Sequence, residues 1–298
     1  MAIDLLDGIR DGRLERPDGR VVAWSEYGDP DGFPLLRVPG TPGGRYSLRA
    51  DRRPWQERNL RVITTERPGF GASTPLPGRG FAAPADDLAA ILDWLGIERL
   101  HVIGGSGSAP HQLAFAAQHP DRVRAVTVLV GAAPIEAAEV DLLIGLNAES
   151  HRLATAGDTA GLLALLNTVR ETMLADPVAA IRDIMDRAPE ADHSVMADPA
   201  WQGQFALATR EALAQGAQGW ADETLALIRP WNDIDLGAVR TSVTWWHAPG
   251  DANGPLPAAE RLVAQLPDAR MVHFGENEGH LAAHRREGEI LDELLVRG

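Results

Sequence analysis

The sequence contains no cysteine and no lysine, and each absence removes a class of mechanism. Without cysteine there is no thiol nucleophile, no thiolate-bound metal and no disulfide. All 28 basic residues are arginines, so Schiff-base chemistry and the phosphate-binding lysine of a P-loop are also excluded.

Positive charge and long apolar runs are scarce as well. The net charge is −14 and the isoelectric point lies near 5.0, which disfavours binding to nucleic acid. No uninterrupted apolar stretch approaches the roughly 20 residues that cross a bilayer, and the acidic N-terminus lacks both parts of a secretory signal. We therefore expect a cytoplasmic protein that acts on a small-molecule substrate, with no nucleic acid and no membrane among its partners. The sequence does not indicate an oligomeric state.

Strand-like and helical segments alternate along most of the chain. Short strands separated by turn signals predict an antiparallel start to a sheet over residues 21–38. Alternating strands and helices over residues 61–130, and again after the middle of the chain, predict a parallel sheet buried on both faces. Ala/Leu-rich helical segments interrupt this pattern. We therefore predict an α/β core domain of residues 1–133 and 232–298 and a helical cap of residues 134–231.

Proline and periodicity give finer expectations for the second half of the chain. Asp-Pro pairs at residues 176–177 and 198–199 are expected to break the helical insertion. A strand is predicted over residues 270–274, followed by a terminal helix over residues 281–296.

One serine lies in a setting typical of a nucleophile. The phrase G-G-S-G-S at residues 104–108 follows the apolar strand 100–103 and precedes a helix. A nucleophile elbow needs this context. The serine sits on a sharp, strained turn, and small neighbouring residues allow the backbone segments to approach each other closely there. The second small position is Ser108 rather than glycine. The alternative is a nucleotide-binding turn, but the phrase G-x-G-x-x-G is not completed.

Three phrases in order resemble those of serine hydrolases with the α/β-hydrolase fold. Residues 104–123 resemble the elbow G-x-S-G-G-G-P with its following helix and next strand. Residues 40–43 (G-T-P-G) and 66–71 (E-R-P-G-F-G) resemble the signatures H-G-T-P-G and D-R-P-G-x-G. The resemblance covers all but the central insertion. It implies an α/β-hydrolase fold, with a mostly parallel eight-stranded sheet flanked by helices and a helical cap insertion.

A serine hydroxyl needs a base and an acid to become a nucleophile, and this superfamily takes them in the chain order Ser, acid, His. The resemblance places the base at His280, in the loop after the last predicted strand, and the acid at Asp251, after the preceding strand. Ser106, Asp251 and His280 are therefore the predicted catalytic residues. A solvated loop histidine and a turn-forming aspartate are the alternatives, and Glu136 is the reserve acid.

The remaining histidines are assigned no catalytic role. His280 and His284 have the i, i+4 spacing of a metal-binding pair, but no third ligand is evident nearby, so no metal is expected. His101, His111 and His119 flank the elbow, and surface or packing roles are expected for them. No cofactor is expected.

An oxyanion hole requires two backbone donors. The N–H of Gly107, directly after the serine, should be one of them. By resemblance the second is the N–H of Thr41. Pro39 stands where the related motif carries histidine, and a proline side chain cannot form the hydrogen bonds that help to hold this loop.

The expected function is hydrolysis of an ester, lactone or related acyl bond of a small organic substrate through an acyl-enzyme. Epoxide hydrolases and haloalkane dehalogenases of this fold use aspartate where this chain has Ser106. The match to the G-G-S-x-G-S phrase of proline iminopeptidases is out of register by one residue. A carbon–carbon hydrolase, a natural-product cyclase and a non-catalytic ligand receptor stay open, and Pro39 and Ser108 favour the receptor.

The predicted cap should set the choice of substrate. Its apolar composition, with many acids and few arginines, suits an uncharged or cationic ligand. Trp201, Trp220 and Trp231 could line a pocket, although packing is the commoner role of such residues.

Overall fold

A computed structural model describes residues 5–297 of the chain. The strands are β1 Ile9–Glu15, β2 Val21–Gly28, β3 Phe33–Val38, β4 Leu60–Thr65, β5 Leu100–Gly105, β6 Val123–Leu129, β7 Val243–His247 and β8 Ala269–His273. They form one eight-stranded sheet in the order β1-β2-β4-β3-β5-β6-β7-β8.

The sheet begins antiparallel and continues parallel. Strand β2 pairs antiparallel with β1 and β4, and every later pairing is parallel. This confirms the predicted sheet. Strand β1 was not predicted, because its sequence I-R-D-G-R-L-E is mostly polar and lacks an apolar run; its place in the sheet comes from pairing with β2.

The helices are α1 Arg53–Gln56, α2 Ala82–Trp94, α3 Ala109–Gln118, α4 Gly145–Thr155, α5 Thr159–Ala175, α6 Pro177–Ile184, α7 Glu190–Met196, α8 Pro199–Ala212, α9 Gln218–Ile228, α10 Leu256–Val263 and α11 Glu287–Leu295. Helices α2, α3 and α10 cover one face of the sheet, and α1 and α11 cover the other. Neighbouring residues of a strand point to opposite faces, so Trp245 joins the first core and Trp246 the second.

Six helices, α4 to α9, lie between β6 and β7. Their own apolar cluster includes Leu162, Leu166 and Trp220. The two Asp-Pro pairs begin helices: Asp176 caps α6 and Asp198 caps α8, each accepting hydrogen bonds from backbone N–H groups of the first turn. The predicted breaks are thus the starts of new helices.

The terminal helix is shorter than expected. After His280 the chain forms a 3₁₀ turn over Ala282–Arg285, and α11 begins only at Glu287. Arg286, with φ −124° and ψ 20°, separates the two and is not helical. Residues 281–286 therefore belong to the loop that carries His280. No helix among residues 5–297 is long and apolar enough to cross a membrane.

Candidate active site

Ser106 occupies a strained turn between β5 and α3. Its φ of +59° lies in the left-handed region, which is unusual for a residue with a side chain. Gly104 must be glycine, since a Cβ there would lie 2.5 Å from the carbonyl oxygen of Val38. The turn therefore has the geometry of a nucleophile elbow at the carboxyl end of a central strand.

Ser108 fits the second small position of this turn. Its side chain is fully buried, and its hydroxyl accepts a hydrogen bond from Gln112 Nε2 at 2.8 Å. Because the hydroxyl has a partner one helical turn further on, serine in place of glycine does not leave this hydroxyl unpaired.

His280 and Asp251 are brought together from two loops. Asp251 follows β7 and His280 follows β8, and His280 Nδ1 lies 2.9 Å from Asp251 Oδ2. The other carboxylate oxygen accepts a hydrogen bond from the backbone N–H of Asn253 at 2.8 Å. Burial disfavours the imidazolium, but the charge and hydrogen bond of Asp251 outweigh this effect, so the pKa of His280 is raised above 6.5. Because a carboxylate oxygen can only accept a hydrogen bond, Nδ1 is the nitrogen that donates to Asp251, and Nε2 is left to act on other groups.

Asp192 is a neighbour of this pair that sequence reasoning missed. It lies in α7, is buried, and approaches the loop of His280 so closely that a Cβ on Gly279 would lie 2.6 Å from its Oδ2. Burial raises the pKa of Asp192, while its charge helps to raise the pKa of His280. No motif in the helical segment marks this aspartate, so only the fold could reveal it.

Ser106 and His280 line the same cavity. Among the described residues, no hydrogen bond joins Ser106 Oγ to the His280 ring, a common situation where no substrate is bound. Glu136, the reserve acid, lies apart from the pair, in an ion pair with Arg261. The structure thus places the three predicted catalytic residues in one region and leaves Glu136 outside it.

The loop that carries one predicted oxyanion donor, Thr41, lies close to the other, Gly107. A Cβ on Gly107 would lie 2.3 Å from Thr41 Oγ1, and one on Gly40 would lie 3.3 Å from Ser106 Cβ. The loop of residues 39–41 therefore lies against the elbow, with the side chain of Thr41 beside Gly107.

Arg67 holds this loop. Its Nη1 donates to the carbonyl oxygen of Pro39 at 2.5 Å, and its Nη2 donates to the carbonyl oxygen of Gly40 at 2.7 Å and to Thr41 Oγ1 at 3.0 Å. Arg67 belongs to the R-P-G phrase of the sequence. The loop is fixed by a guanidinium even though residue 39 is proline.

Behind Arg67 lies a buried carboxylate, Glu223 of α9. Arg67 Nε and His111 Nε2 lie 2.9 and 2.8 Å from Glu223 Oε1, and Arg79 pairs with the other carboxylate oxygen. Thr41 Oγ1 donates to Glu223 Oε1 at 3.1 Å. We call Arg67, Arg79, His111 and Glu223 the Glu223 cluster.

The charges of the Glu223 cluster follow from its surroundings. Burial alone would raise the pKa of Glu223, but Arg67 and Arg79 hold it well below its usual range. Burial lowers the pKa of His111 to about 4, so its ring is neutral near pH 7. His111, expected at the surface or in packing, is thus a buried partner of the carboxylate.

The cavity has two lobes that meet at Ser106. The first, of about 270 Å³, is lined by His280 and by the parallel rings of Trp201 and Phe205, whose centres are 4.8 Å apart. The second, of about 180 Å³, is lined by Gly107, by Trp220 and by mostly aliphatic side chains, with Asn147, Ser150 and His151 among its polar members. The residues lining both are Thr41, Pro42, Ser106, Met173, Ile181 and Asn253.

The three tryptophans of the insertion take different roles. Trp201 lines the first lobe and Trp220 the second, whereas Trp231 packs in the core beside the sheet. Two of the three therefore face the cavity.

Comparison with known proteins identifies the family. A model of the alpha/beta hydrolase fold matches residues 34–282. The chain belongs to this family. It is 29% identical over 282 residues to the rhodomycin D methylesterase DnrP of Streptomyces peucetius, covering 89% of this chain and 91% of that protein. It is also 29% identical to a probable proline iminopeptidase of Streptomyces coelicolor, covering 81% of this chain and 72% of that protein.

A solved structure shares the fold over nearly the whole chain. An esterase from Thermogutta terrifontis superposes with a TM-score of 0.67 at 22% identity, covering 96% of this chain and 98% of the other. The predicted α/β-hydrolase fold is confirmed. The family supports a hydrolase, with esterase and peptidase relatives, while the roles of the individual site residues stay predictions.

Proposed function

We propose that the chain is a serine hydrolase that cleaves an ester or lactone bond of a small organic substrate. One observation carries the proposal: a serine on a strained elbow and a histidine paired with a buried aspartate line the same cavity. Ser106, His280 and Asp251 act as nucleophile, base and orienting acid.

In this mechanism His280 Nε2 takes the proton of Ser106 Oγ as that oxygen bonds to the substrate carbonyl carbon. The N–H groups of Gly107 and Thr41 stabilise the oxyanion. The bond from carbon to the leaving oxygen then breaks, and His280 delivers the proton to the departing alcohol. A water molecule, deprotonated by His280, attacks the acyl-enzyme, releases the acid and restores the serine.

The cavity walls favour an ester over an N-terminal peptide. Among the described residues that line the two lobes, none is aspartate or glutamate. A free N-terminal proline carries a positive charge, which would face no carboxylate here. The methylesterase relative, aligned over 89% of this chain, agrees with the ester assignment.

The helices between β6 and β7 act as the cap in this proposal. They supply Met173, Ile181 and Trp201 to the cavity, and Gly107 and His280 face these residues from the sheet domain. Residues 134–231 therefore shape the pocket, while residues 1–133 and 232–298 supply the chemistry.

A fluorophosphonate probe tests the proposal, because only an activated serine is captured. Labelling should map to Ser106 and should be lost in Ser106→Ala and His280→Ala, while Ser108→Ala serves as the control at a neighbouring buried serine. Each of the first two changes should also lower turnover of a reactive ester by about 10⁶-fold, and Asp251→Ala by somewhat less.

Three results would contradict the proposal. Turnover that survives Ser106→Ala would exclude the serine mechanism. Absence of both labelling and ester turnover would favour a ligand receptor. Labelling without hydrolysis of any ester or lactone would favour a carbon–carbon hydrolase or a cyclase.

A further inference from the structure

Two buried arginines line the larger lobe of the cavity, which we call the arginine lobe. Arg37 lies near the end of β3 and Arg49 in the loop that follows, and they are only 9% and 6% exposed. Both pair with one carboxylate, Glu287 of α11: Arg49 Nε lies 2.6 Å and Arg37 Nη1 3.4 Å from its two oxygens. Two positive charges thus face one negative charge.

The remaining groups around the lobe do not cancel this surplus. Trp55 Nε1 also donates to Glu287, at 3.0 Å, so three donors share this carboxylate. His284 lines the lobe, but burial and the charges of Arg49 and Arg37 lower its pKa well below the usual range, so it is neutral. None of the described lining residues is acidic. The acids of the helical segment, which suggested an uncharged or cationic ligand, lie elsewhere.

Arg49 has unused hydrogen-bond donors. Its Nε is bound to Glu287, and its terminal nitrogens form no hydrogen bond with any other described residue, although the side chain is more than nine-tenths buried. A buried guanidinium with unused donors matches the planar, bidentate geometry of a carboxylate.

The position of His280 tells which part of a substrate enters this lobe. A base that passes its proton to the leaving group must lie beside that group. His280 lines the arginine lobe, whereas Gly107, a predicted oxyanion donor, lines only the smaller lobe. The arginine lobe therefore receives the alcohol part of an ester, and the smaller aliphatic lobe receives the acyl part.

We infer, on the basis of the proposed ester hydrolysis, that Arg49 and Arg37 bind a carboxylate carried by the alcohol part of the substrate. Trp201 and Phe205, whose rings stack on each other, add aromatic surface to the same lobe, against which an aromatic ring can pack. The substrate class is thus an ester of a small acyl group with a hydroxylated, preferably aromatic, carboxylic acid.

A pair of esters that differ only in charge tests this. For 4-acetoxybenzoate and 4-acetoxybenzamide, kcat/KM is divided by the rate constant of the same ester's uncatalysed alkaline hydrolysis. This normalised kcat/KM should be about 10-fold or more higher for the carboxylate. Arg49→Gln should bring the ratio close to one. Arg53→Gln, which makes the same change in net charge at an exposed arginine paired with Asp51, should keep it. Monophenyl succinate and phenyl succinamate, which differ in the acyl part, should show no such preference.

Equal normalised rates for the first pair would overturn the inference, as would a ratio that survives Arg49→Gln. A preference in the acyl pair instead would overturn the assignment of the lobe. If Arg49→Gln does not fold, inhibition of the wild-type protein provides the test. Benzoate should inhibit 4-acetoxybenzamide hydrolysis at a lower concentration than benzamide does. Equal inhibition by the two refutes the carboxylate site. Failure of the proposed function is distinguishable, since no ester would then be turned over and no probe would label Ser106.

Discussion

Replacing Glu223 with glutamine is expected to weaken folding and catalysis together. The carboxylate is the counter-charge of Arg67 and Arg79 in a fully buried site, and it also accepts the hydroxyl of Thr41. Because His111 is neutral, the change leaves two buried guanidiniums with no negative partner. Removing one partner of a buried ion pair costs about 3–5 kcal/mol, which lowers the melting temperature of a domain of this size by about 10 °C.

The catalytic effect follows from the position of Arg67. Its guanidinium donates to the carbonyl oxygens of Pro39 and Gly40, so a shift of Arg67 displaces the loop that carries the N–H of Thr41. A displacement of about 1 Å in such a group costs about 10²-fold in rate. Since the oxyanion forms only in the transition state, the loss should appear in kcat with KM nearly unchanged.

Steady-state kinetics on a neutral acetate ester, at a temperature well below the melting point of the variant, measures this loss. Asp87→Asn is the matched control, because Asp87 also bridges two arginines, with Arg16 Nε at 2.9 Å and Arg20 Nη1 at 2.7 Å, and neither of these arginines holds the loop of residues 39–41. It should lower stability with kcat retained. Thr41→Val keeps the backbone N–H but removes the hydroxyl, and should lower kcat less than Glu223→Gln.

A folded Glu223→Gln protein with wild-type kcat would refute the reasoning, as would a loss confined to KM. If that variant does not fold, a wild-type kcat in Thr41→Val would refute it instead.

Two further predictions concern protons. The pKa of His280 is raised, so kcat/KM should increase with pH through a midpoint above 6.5. Asp192→Asn removes a nearby negative charge and should move the midpoint of the pH–rate profile to lower pH. An unmoved midpoint would contradict this. Burial and a hydrogen bond with Glu66 raise the pKa of Glu211 to about 9, so the folded state keeps a proton that the unfolded chain loses near 4.5. The stability that this proton gives is complete below about 4.5, declines as the pH rises above that value and is lost once the pH has passed about 9. Glu211→Gln, which stays neutral, should therefore flatten the decline in melting temperature between about pH 5 and 9.

The fold was largely predictable because its signals are local. The strand before Ser106 is continuous and apolar, the elbow needs glycine at fixed positions, and each loop after a parallel strand opens at the same edge of the sheet. Strand β1 escaped prediction because a polar edge strand is defined by its partner rather than by its own residues. The predicted start of the last helix was wrong because the loop of His280 takes up six residues of helical composition.

The supporting residues of the site were not predictable, since their partners are distant in sequence. Thr41 and Glu223 are 182 residues apart, and Asp192 reaches His280 from a helix with no motif. Nothing in the sequence distinguishes Arg49 from the other arginines, and only the fold shows it buried beside Glu287. The acidic composition of the insertion was a poor guide to the charge of the ligand, because its acidic residues do not line the cavity.

Pro39 and Ser108 were the two departures that favoured a vestigial site, and each has a local explanation. Arg67 holds the loop of residues 39–41 through hydrogen bonds to the carbonyl oxygens of residues 39 and 40. Every residue type has such a carbonyl, so these hydrogen bonds do not depend on the side chain at position 39. The hydroxyl of Ser108 is paired with Gln112 behind the elbow. A buried carboxylate between two guanidiniums costs desolvation energy that apolar side chains of the same volume would not, so packing alone does not account for this cluster. An ion cluster aimed at the loop above Ser106 therefore argues for a working oxyanion hole rather than for a receptor pocket.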